Sequence, residues 1–175
     1  MKFASERFNT YLAVTVALVL VGCETSDLDS TKHRGSELSS LRVHIETNPD
    51  NLGMSRRIDV GPEPHQSFSV AGPALGEMHL MVAQLWEGKE GEYAIHLQFD
   101  RTGVQMLEMY SMSYRGKRLA VFSQFPNPRW IGTVRMDRRI ADGTLLFRPD
   151  ATREEALRIV TGLNKAVAKL KKSGD

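Results

Sequence analysis

Histidine, cysteine and carboxylate side chains are the groups of this chain that could bind a metal or carry catalysis. The sequence holds five histidines and one cysteine, and a zinc site needs three or four such ligands that converge. His44 and Glu46 share one face of a predicted strand, but no further ligand follows them at a suitable spacing. We interpret both as solvated residues of that face. Nucleophile motifs such as Gly-x-Ser-x-Gly are absent, so we predict no catalytic residues, no metal ligands and no cofactor.

Side chains suited to binding another protein occur in a loop that is stiffened by two prolines. Arg129 and Trp130 follow these prolines, and Arg and Trp are residue types that dominate the energy of protein interfaces. We therefore predict Arg129 and Trp130 as a candidate protein-binding site; the alternative is that Trp130 packs under the sheet as core. Met106, Met109 and Met112 recur at helical spacing, where methionines serve either a peptide-binding surface or the core and its rim.

The single cysteine has the most specific context in the chain. Basic residues Lys2 and Arg7 precede an apolar run from Tyr11 to Val21, and Gly22 comes directly before Cys23. This order is typical of a secretory signal peptide, and the run is short for a transmembrane helix of about 20 residues. A cysteine in this place resembles the lipobox of bacterial lipoproteins, which implies acylation of the Cys23 thiol and cleavage before it. The alternatives are an ordinary secretory signal with an incidental cysteine, and a buried or redox-active thiol.

These features divide the chain into four segments. We predict a lipoprotein signal peptide at 1–22, followed at 23–40 by the lipidated cysteine and a flexible tether, because residues 24–40 are polar, rich in serine and without periodicity. An N-terminal β segment at 41–67 and an α+β domain at 68–172 complete the chain.

Charge and cysteine count exclude some classes of protein. The net charge is +2, and removal of Lys2, Arg7 and Glu6 with the signal peptide leaves +1. A domain this close to neutral gives no electrostatic reason to predict nucleic acid as a partner. Because Cys23 is the one cysteine, the fold contains no intramolecular disulfide and depends on a packed core.

Hydrophobic periodicity predicts strands on both sides of one helix, and then a closing helix. Apolar residues alternate with polar ones from Leu41 to Glu46, as in a half-buried strand. Capping-box spacing at Thr102–Gln105 and at Thr152–Glu155 predicts the two helix starts, and Ala71–Gly76 reads as a break between strands. The other predicted strands are Ile58–Val60, Ser67–Val70, Met78–Trp86, Tyr93–Phe99, Arg118–Ser123, Trp130–Met136 and Ile140–Phe147. This pattern favours an α+β fold with helices on one face of the sheet.

Several stretches of the second half also match a known family in order and spacing. They are Ser69–Pro73, Tyr93–Gly103, Leu107–Glu108, Arg115–Val121, Ile140–Gly143 and Ala151–Leu157. Over residues 68 to 170 the chain thereby resembles the head subdomain of the first periplasmic domain of the SecD/SecDF protein-export subunits. The resemblance implies a ferredoxin-like antiparallel sheet with two helices packed on one face, here with extra N-terminal strands, and no catalytic residues.

The resemblance also sets an expectation for function. In that family the head is thought to contact exported polypeptide beyond the membrane. This sequence shows no further apolar run long enough to span a bilayer, so a direct motor role in export does not follow from the resemblance.

We therefore predict a non-enzymatic lipoprotein of the bacterial cell envelope that binds protein, either exported polypeptide or an envelope complex. Acylated Cys23 would hold it to the membrane, facing the periplasm or the outside, with the translocation machinery as an expected partner. Glu24 rather than Asp follows the cysteine, which favours the outer over the inner membrane. The alternatives are a structural or scaffold lipoprotein, and an envelope ligand-binding protein or enzyme with an unrecognised pocket.

Overall fold

The structure is a computed structural model that describes residues 38–50, 53–61, 65–125 and 127–174. Cys23, the predicted signal peptide and most of the predicted tether lie outside the described residues. The strands are β1 (Leu41–Thr47), β2 (Arg56–Val60), β3 (Gln66–Gly76), β4 (Leu80–Glu87), β5 (Tyr93–Phe99), β6 (Arg118–Ser123), β7 (Arg129–Arg135) and β8 (Thr144–Phe147). The helices are α1 (Arg101–Ser113) and α2 (Arg153–Gly174), and short 3₁₀ turns span Glu77–His79 and Lys89–Gly91.

All strand pairs are antiparallel, and they form two sheets. One sheet has the order β2-β3-β1-β6-β7 and the other the order β4-β5-β8. The predicted α+β class, with an antiparallel arrangement and two helices, is confirmed. The structure adds that the N-terminal strands are integral to the fold, because β1 lies in the middle of the five-stranded sheet. Within the described part of the chain, neither helix is both long and apolar enough to cross a membrane.

The five-stranded sheet is buried on both faces, by two different cores. On the inner face Leu41, Val43 and Ile45 belong to the main core, which includes residues of the three-stranded sheet and of both helices. The outer face carries a second core formed by Ile58, Val60, Phe68, Val70 and Ala120, with Trp130 packed against it. The sheet curls around this second core, since Cα atoms of its edge strands β2 and β7 approach within 8 Å.

Helix α2 begins as the sequence predicts and closes the main core. The Glu155 amide donates to Thr152 Oγ1 at 3.2 Å, which is the N-cap half of the predicted capping box. In a complete capping box the Glu155 side chain would also accept from the backbone amide of Thr152. Here the Glu155 carboxylate pairs with Arg129 instead (Nη2–Oε1, 2.6 Å). The helix buries Ala156, Ile159, Val160, Leu163 and Val167 in the main core. Leu170, nearer the end of the helix, is 46% exposed.

Two other predicted boundaries differ for local reasons. β3 runs through the predicted break at Ala71–Gly76, because two shifts in its register with β1 accommodate Pro73 opposite His44. Helix α1 is capped by Asp100 rather than Thr102, since an Asp100 carboxylate oxygen accepts from the Gly103 amide at 2.8 Å.

The predicted strand at Ile140–Phe147 is shorter in the structure, where β8 begins at Thr144. Gly143 has a φ of +67°, a left-handed conformation that glycine adopts without strain. A Cβ at this position would overlap Cγ2 of Val104 on α1. The backbone therefore turns at Gly143 to pass α1 closely before the strand starts.

Candidate binding site around Trp130

The two predicted binding residues, Arg129 and Trp130, lie on opposite faces of β7. Arg129 is opposite Ser123 and Trp130 is opposite Phe122 in the register with β6, and successive side chains of a strand point to opposite faces. Arg129 turns to Glu155 at the start of α2, whereas Trp130 packs on the second core. The structure therefore does not bring them together as one site, and their role in binding protein stays a prediction.

A bulge in β7 determines which way Trp130 points. The register shifts between Val121 and Phe122, so that Val121 faces Gly132, Phe122 faces Trp130, and Ile131 has no partner. Ile131 is fully buried in the main core. One extra residue thus lets Ile131 serve the inner face while Trp130 is placed on the outer face, as bulges do when they redirect a side chain.

Three rings meet on the outer face beside the second core. The Trp130 ring lies 5.0 Å from that of His44 and 5.2 Å from that of Phe122, measured between centroids, and both contacts are edge-to-face. His44 Nδ1 donates to the Ala71 carbonyl at 2.8 Å. Because a carbonyl can only accept, Nδ1 carries the proton, and Nε2 is the acceptor of the neutral ring.

These rings form one side of a pocket of about 240 Å³, which we call the Trp130 pocket. Its remaining lining comes from β1, β3, the first residue of β2 and the segment before it, and includes Arg42, Gly53, Met54, Ser55, Arg56, Val70, Ala71 and Gly72. The volume is below the 300–1,000 Å³ typical of small-molecule sites. A single large side chain is therefore a better match for it than a cofactor.

The charge of the Trp130 pocket comes from two arginines. Arg42 and Arg56 are exposed at the pocket, and within the described ranges neither guanidinium forms an ion pair. Burial, and then the charges of Arg42 and Arg56, hold the pKa of His44 below its ordinary value, against the opposing effect of the Ala71 hydrogen bond. At neutral pH the pocket thus combines a neutral aromatic lining with two cations.

The opposite end of the outer face is closed by an ion pair. Arg118 Nε and Nη2 donate to the two oxygens of Glu46, at 2.9 and 3.1 Å, and the Arg118 amide donates to the same carboxylate at 2.9 Å. The guanidinium also lies 4.2 Å above the Phe68 ring. These hydrogen bonds lower the pKa of Glu46 and raise that of Arg118.

His44 and Glu46 are thus not simply solvated, as we expected from the sequence, because each is held by a neighbouring strand. Among the residues that the structure describes, no three or more His, Cys, Asp and Glu side chains are grouped as metal ligands would be.

Arg129 lines a separate cleft of about 870 Å³ between β7 and the segment that leads from β8 into α2. Its guanidinium is already paired with Glu155. Tyr93 in the same cleft donates its hydroxyl to the Ala151 carbonyl at 2.5 Å. The cleft is larger than the Trp130 pocket, but these polar groups hold the fold together, whereas the arginines of the Trp130 pocket have no acidic partner in the described residues.

Most of the Trp130 pocket could not be found from the sequence. Trp130 was identifiable by residue type alone. His44 and Phe122 become part of the pocket through strand pairing. In the sequence Arg42 and Arg56 look like ordinary surface residues, and the curl of the sheet brings them to the pocket.

Comparison with known proteins shows what this fold is similar to. A crystal structure of SecDF in its super-membrane-facing form matches with a TM-score of 0.54 and 18% identity, over 72% of this chain and 18% of that chain. A structure described as that of a membrane component SecDF that enhances protein export matches with a TM-score of 0.55 and 15% identity, over 94% of this chain and 70% of that chain. No protein-family model and no curated protein matches. The chain thus has a SecDF-like α+β fold, in agreement with the resemblance seen in the sequence, and spans less than a fifth of the first of these SecDF chains.

Proposed function

We propose that this chain is a non-enzymatic lipoprotein of the bacterial cell envelope whose domain binds polypeptide at the Trp130 pocket. The observation that carries the proposal is the pocket itself, where Trp130, His44 and Phe122 lie beside Arg42 and Arg56. Aromatic rings offer apolar contact area at the centre of a binding surface. Exposed cations at the rim attract and orient acidic segments.

The preferred ligand is an extended segment with one large apolar side chain near acidic residues. Its apolar side chain enters the pocket of about 240 Å³, and its carboxylates face the two guanidinium groups. We expect weak binding that reverses quickly, because the site offers one small pocket and two exposed charges. Rim charges affect the rate of association more than the affinity. Such contacts suit a polypeptide that passes by and is released.

The membrane anchor in this proposal is Cys23, acylated after removal of residues 1–22. Leu38 lies 15 positions after Cys23, with 14 residues between them, and a fully extended chain of that length reaches at most about 50 Å. The domain therefore stays near the lipid surface, with the outer membrane favoured by Glu24.

The SecDF comparison supports an export-related ligand. One of the matching structures is described as a membrane component SecDF that enhances protein export, and this chain has a similar fold. Exported polypeptide, or a component of the translocation machinery, is accordingly the proposed partner.

The test uses the two tryptophans of the chain as a matched pair. Trp130 is partly buried, whereas Trp86 on β4 is half exposed and lies in the other sheet. Binding of two unstructured peptides, one with Phe flanked by Asp and one with Phe flanked by Lys, is measured by fluorescence anisotropy. We expect tighter binding of the acidic peptide, a loss of at least tenfold in Trp130→Ala, and little change in Trp86→Ala.

The same experiment can overturn the proposal. Equal losses in both variants, or equal affinity for the two peptides, would show that the pocket does not select its ligand. Absence of binding to either peptide would favour the scaffold alternative. A double variant, Arg42→Gln with Arg56→Gln, separates the contribution of the charges from that of the aromatic rings. It should remove the preference for the acidic peptide and retain binding of the apolar side chain.

A further inference from the structure

The point where the chain enters the domain is fixed at one end of the five-stranded sheet. The Ser39 hydroxyl is within 2.8 Å of the Ser123 hydroxyl at the end of β6. The Leu41 amide donates to a Glu77 carboxylate oxygen at 3.2 Å, in the turn between β3 and β4. The first described residues of the domain therefore lie beside the β3–β4 turn.

The last turns of α2 lie at this same end. Leu170 of α2, Met78 of the β3–β4 turn, and Leu41 line one groove of about 310 Å³. Met78 is 73% exposed and Leu170 46% exposed, although both are apolar. Exposed apolar side chains that adjoin a groove are characteristic of contact surfaces.

Basic residues flank Leu170 in the last turns of α2, next to a groove whose own lining includes Arg42 and Glu77. Lys169, Lys171 and Lys172 are exposed in the last turns of α2, and no acidic residue follows Glu155 within the helix. None of the three lysines forms an ion pair with another described residue. Lysines at a carboxyl terminus also interact favourably with the helix dipole, but the dipole does not account for exposed Met78 and Leu170 beside them.

We infer that this surface, made of Met78, Leu170, Lys169, Lys171 and Lys172, contacts the anionic headgroups of the membrane that holds Cys23. Lysines near a lipid surface are attracted to anionic lipids, and neighbouring apolar side chains enter the boundary between headgroups and acyl chains. The contact rests on the proposed lipid anchor, because a short tether raises the local concentration of lipid. Since the tether joins the domain at the same end, this surface contacts the membrane without a rotation of the domain.

The test uses acylated protein in vesicles of phosphatidylcholine, with or without 30% phosphatidylglycerol. Cys23 is the one cysteine, so acylation leaves an introduced cysteine as the single free thiol. A fluorophore is attached at Ser173→Cys, or at Thr161→Cys as a control in the middle of α2, and quenching by nitroxide lipids is measured. We expect at least threefold more quenching at position 173 in anionic than in neutral vesicles, and no difference at position 161.

Matched variants identify the groups responsible. Replacement of the three lysines by glutamine should abolish the difference between vesicles, as should high salt. Met78→Ser should weaken quenching, whereas Met54→Ser, which is equally exposed at 75% but lies at the Trp130 pocket, should not.

Two outcomes would overturn the inference while the anchor holds. Equal quenching in both vesicles would exclude recognition of anionic lipid. Crosslinks between copies through position 173, without quenching, would assign the groove to a second copy of the chain. A different result, in which Cys23 is also labelled and the protein separates from the vesicles, would refute the lipid anchor and with it both proposals.

Discussion

The side-chain amide of Asn164 on α2 forms two hydrogen bonds with the backbone of Ala83 on β4. Its Nδ2 donates to the Ala83 carbonyl and its Oδ1 accepts from the Ala83 amide, both at 2.8 Å. β4 is an edge of the three-stranded sheet, and edge strands present unpaired backbone groups. At Ala83 the helix supplies the partner that a further strand would provide, which fixes α2 against this sheet.

Replacement of Asn164 by alanine should therefore destabilise the domain. Ala83 is 1% exposed, so its amide and carbonyl would lose their partners in a buried place. We expect the free energy of unfolding, measured by urea denaturation, to fall by about 2 kcal/mol. The control Lys165→Ala, at an exposed position of the same helix, should change it by less than about 0.5 kcal/mol. Similar small effects in both variants would contradict the role of this pairing.

The close approach at Gly143 gives a second test of stability. Gly143→Ala introduces both a strained left-handed φ and an overlap with Val104, and should lower the free energy of unfolding by about 3 kcal/mol. Gly116 has a φ of +83° with nothing within 4 Å of a Cβ, so Gly116→Ala should cost about 1 kcal/mol for strain alone. Val104→Ala should recover part of the loss in the Gly143 variant and none in the Gly116 variant.

Strands with one buried face were predictable because burial there repeats every second residue. Leu41, Val43 and Ile45 are buried as their alternation predicts. Periodicity predicts both helices, but the predicted cap is right only for α2, since Asp100 rather than Thr102 caps α1. The predicted strand Ser67–Val70 ends before β3 does, because Pro73 is a local signal for a break. Tertiary pairing with β1 overrides that signal through bulges, which depend on residues far away in the sequence.

The candidate site was predictable only in part for the same reason. Residue type identified Trp130, but the bulge at Ile131 decides its direction. Arg129 was placed in the same site because the two residues are adjacent, whereas the strand separates their side chains. The division of the strands into two sheets, which creates the curled outer face, has no marker in the hydrophobic pattern.

The ion pair between Glu46 and Arg118 should make stability depend on pH. Folding lowers the pKa of Glu46 from its ordinary value of 4.5, so its stabilising contribution is complete above that pH. The contribution is lost as the pH falls through the lower pKa of the folded state. Glu46→Gln should reduce the free energy of unfolding by about 1.5 kcal/mol at pH 7, and this difference should shrink towards pH 3.

Urea denaturation at a series of pH values measures this effect. The matched control is Asp137→Asn, since Asp137 pairs with Arg135 on the surface, where ion pairs contribute little. Its curve should stay close to that of the unmodified protein at every pH. A difference for Glu46→Gln that stays constant from pH 7 to pH 3 would show that the carboxylate charge is not what stabilises this end of the outer face.

Arg129 should have a structural role, whereas Trp130 should have a role in binding. Arg129→Ala breaks the pair with Glu155 at the start of α2, a partly exposed contact that should contribute about 0.5 to 1 kcal/mol to the free energy of unfolding. It should leave affinity for the Asp-flanked peptide unchanged, because Arg129 lines the other cleft. A double-mutant cycle with Glu155→Ala should assign the stability loss to this pair. If Arg129→Ala instead weakened peptide binding as much as Trp130→Ala does, while stability stayed the same, the two residues would act as one binding loop after all.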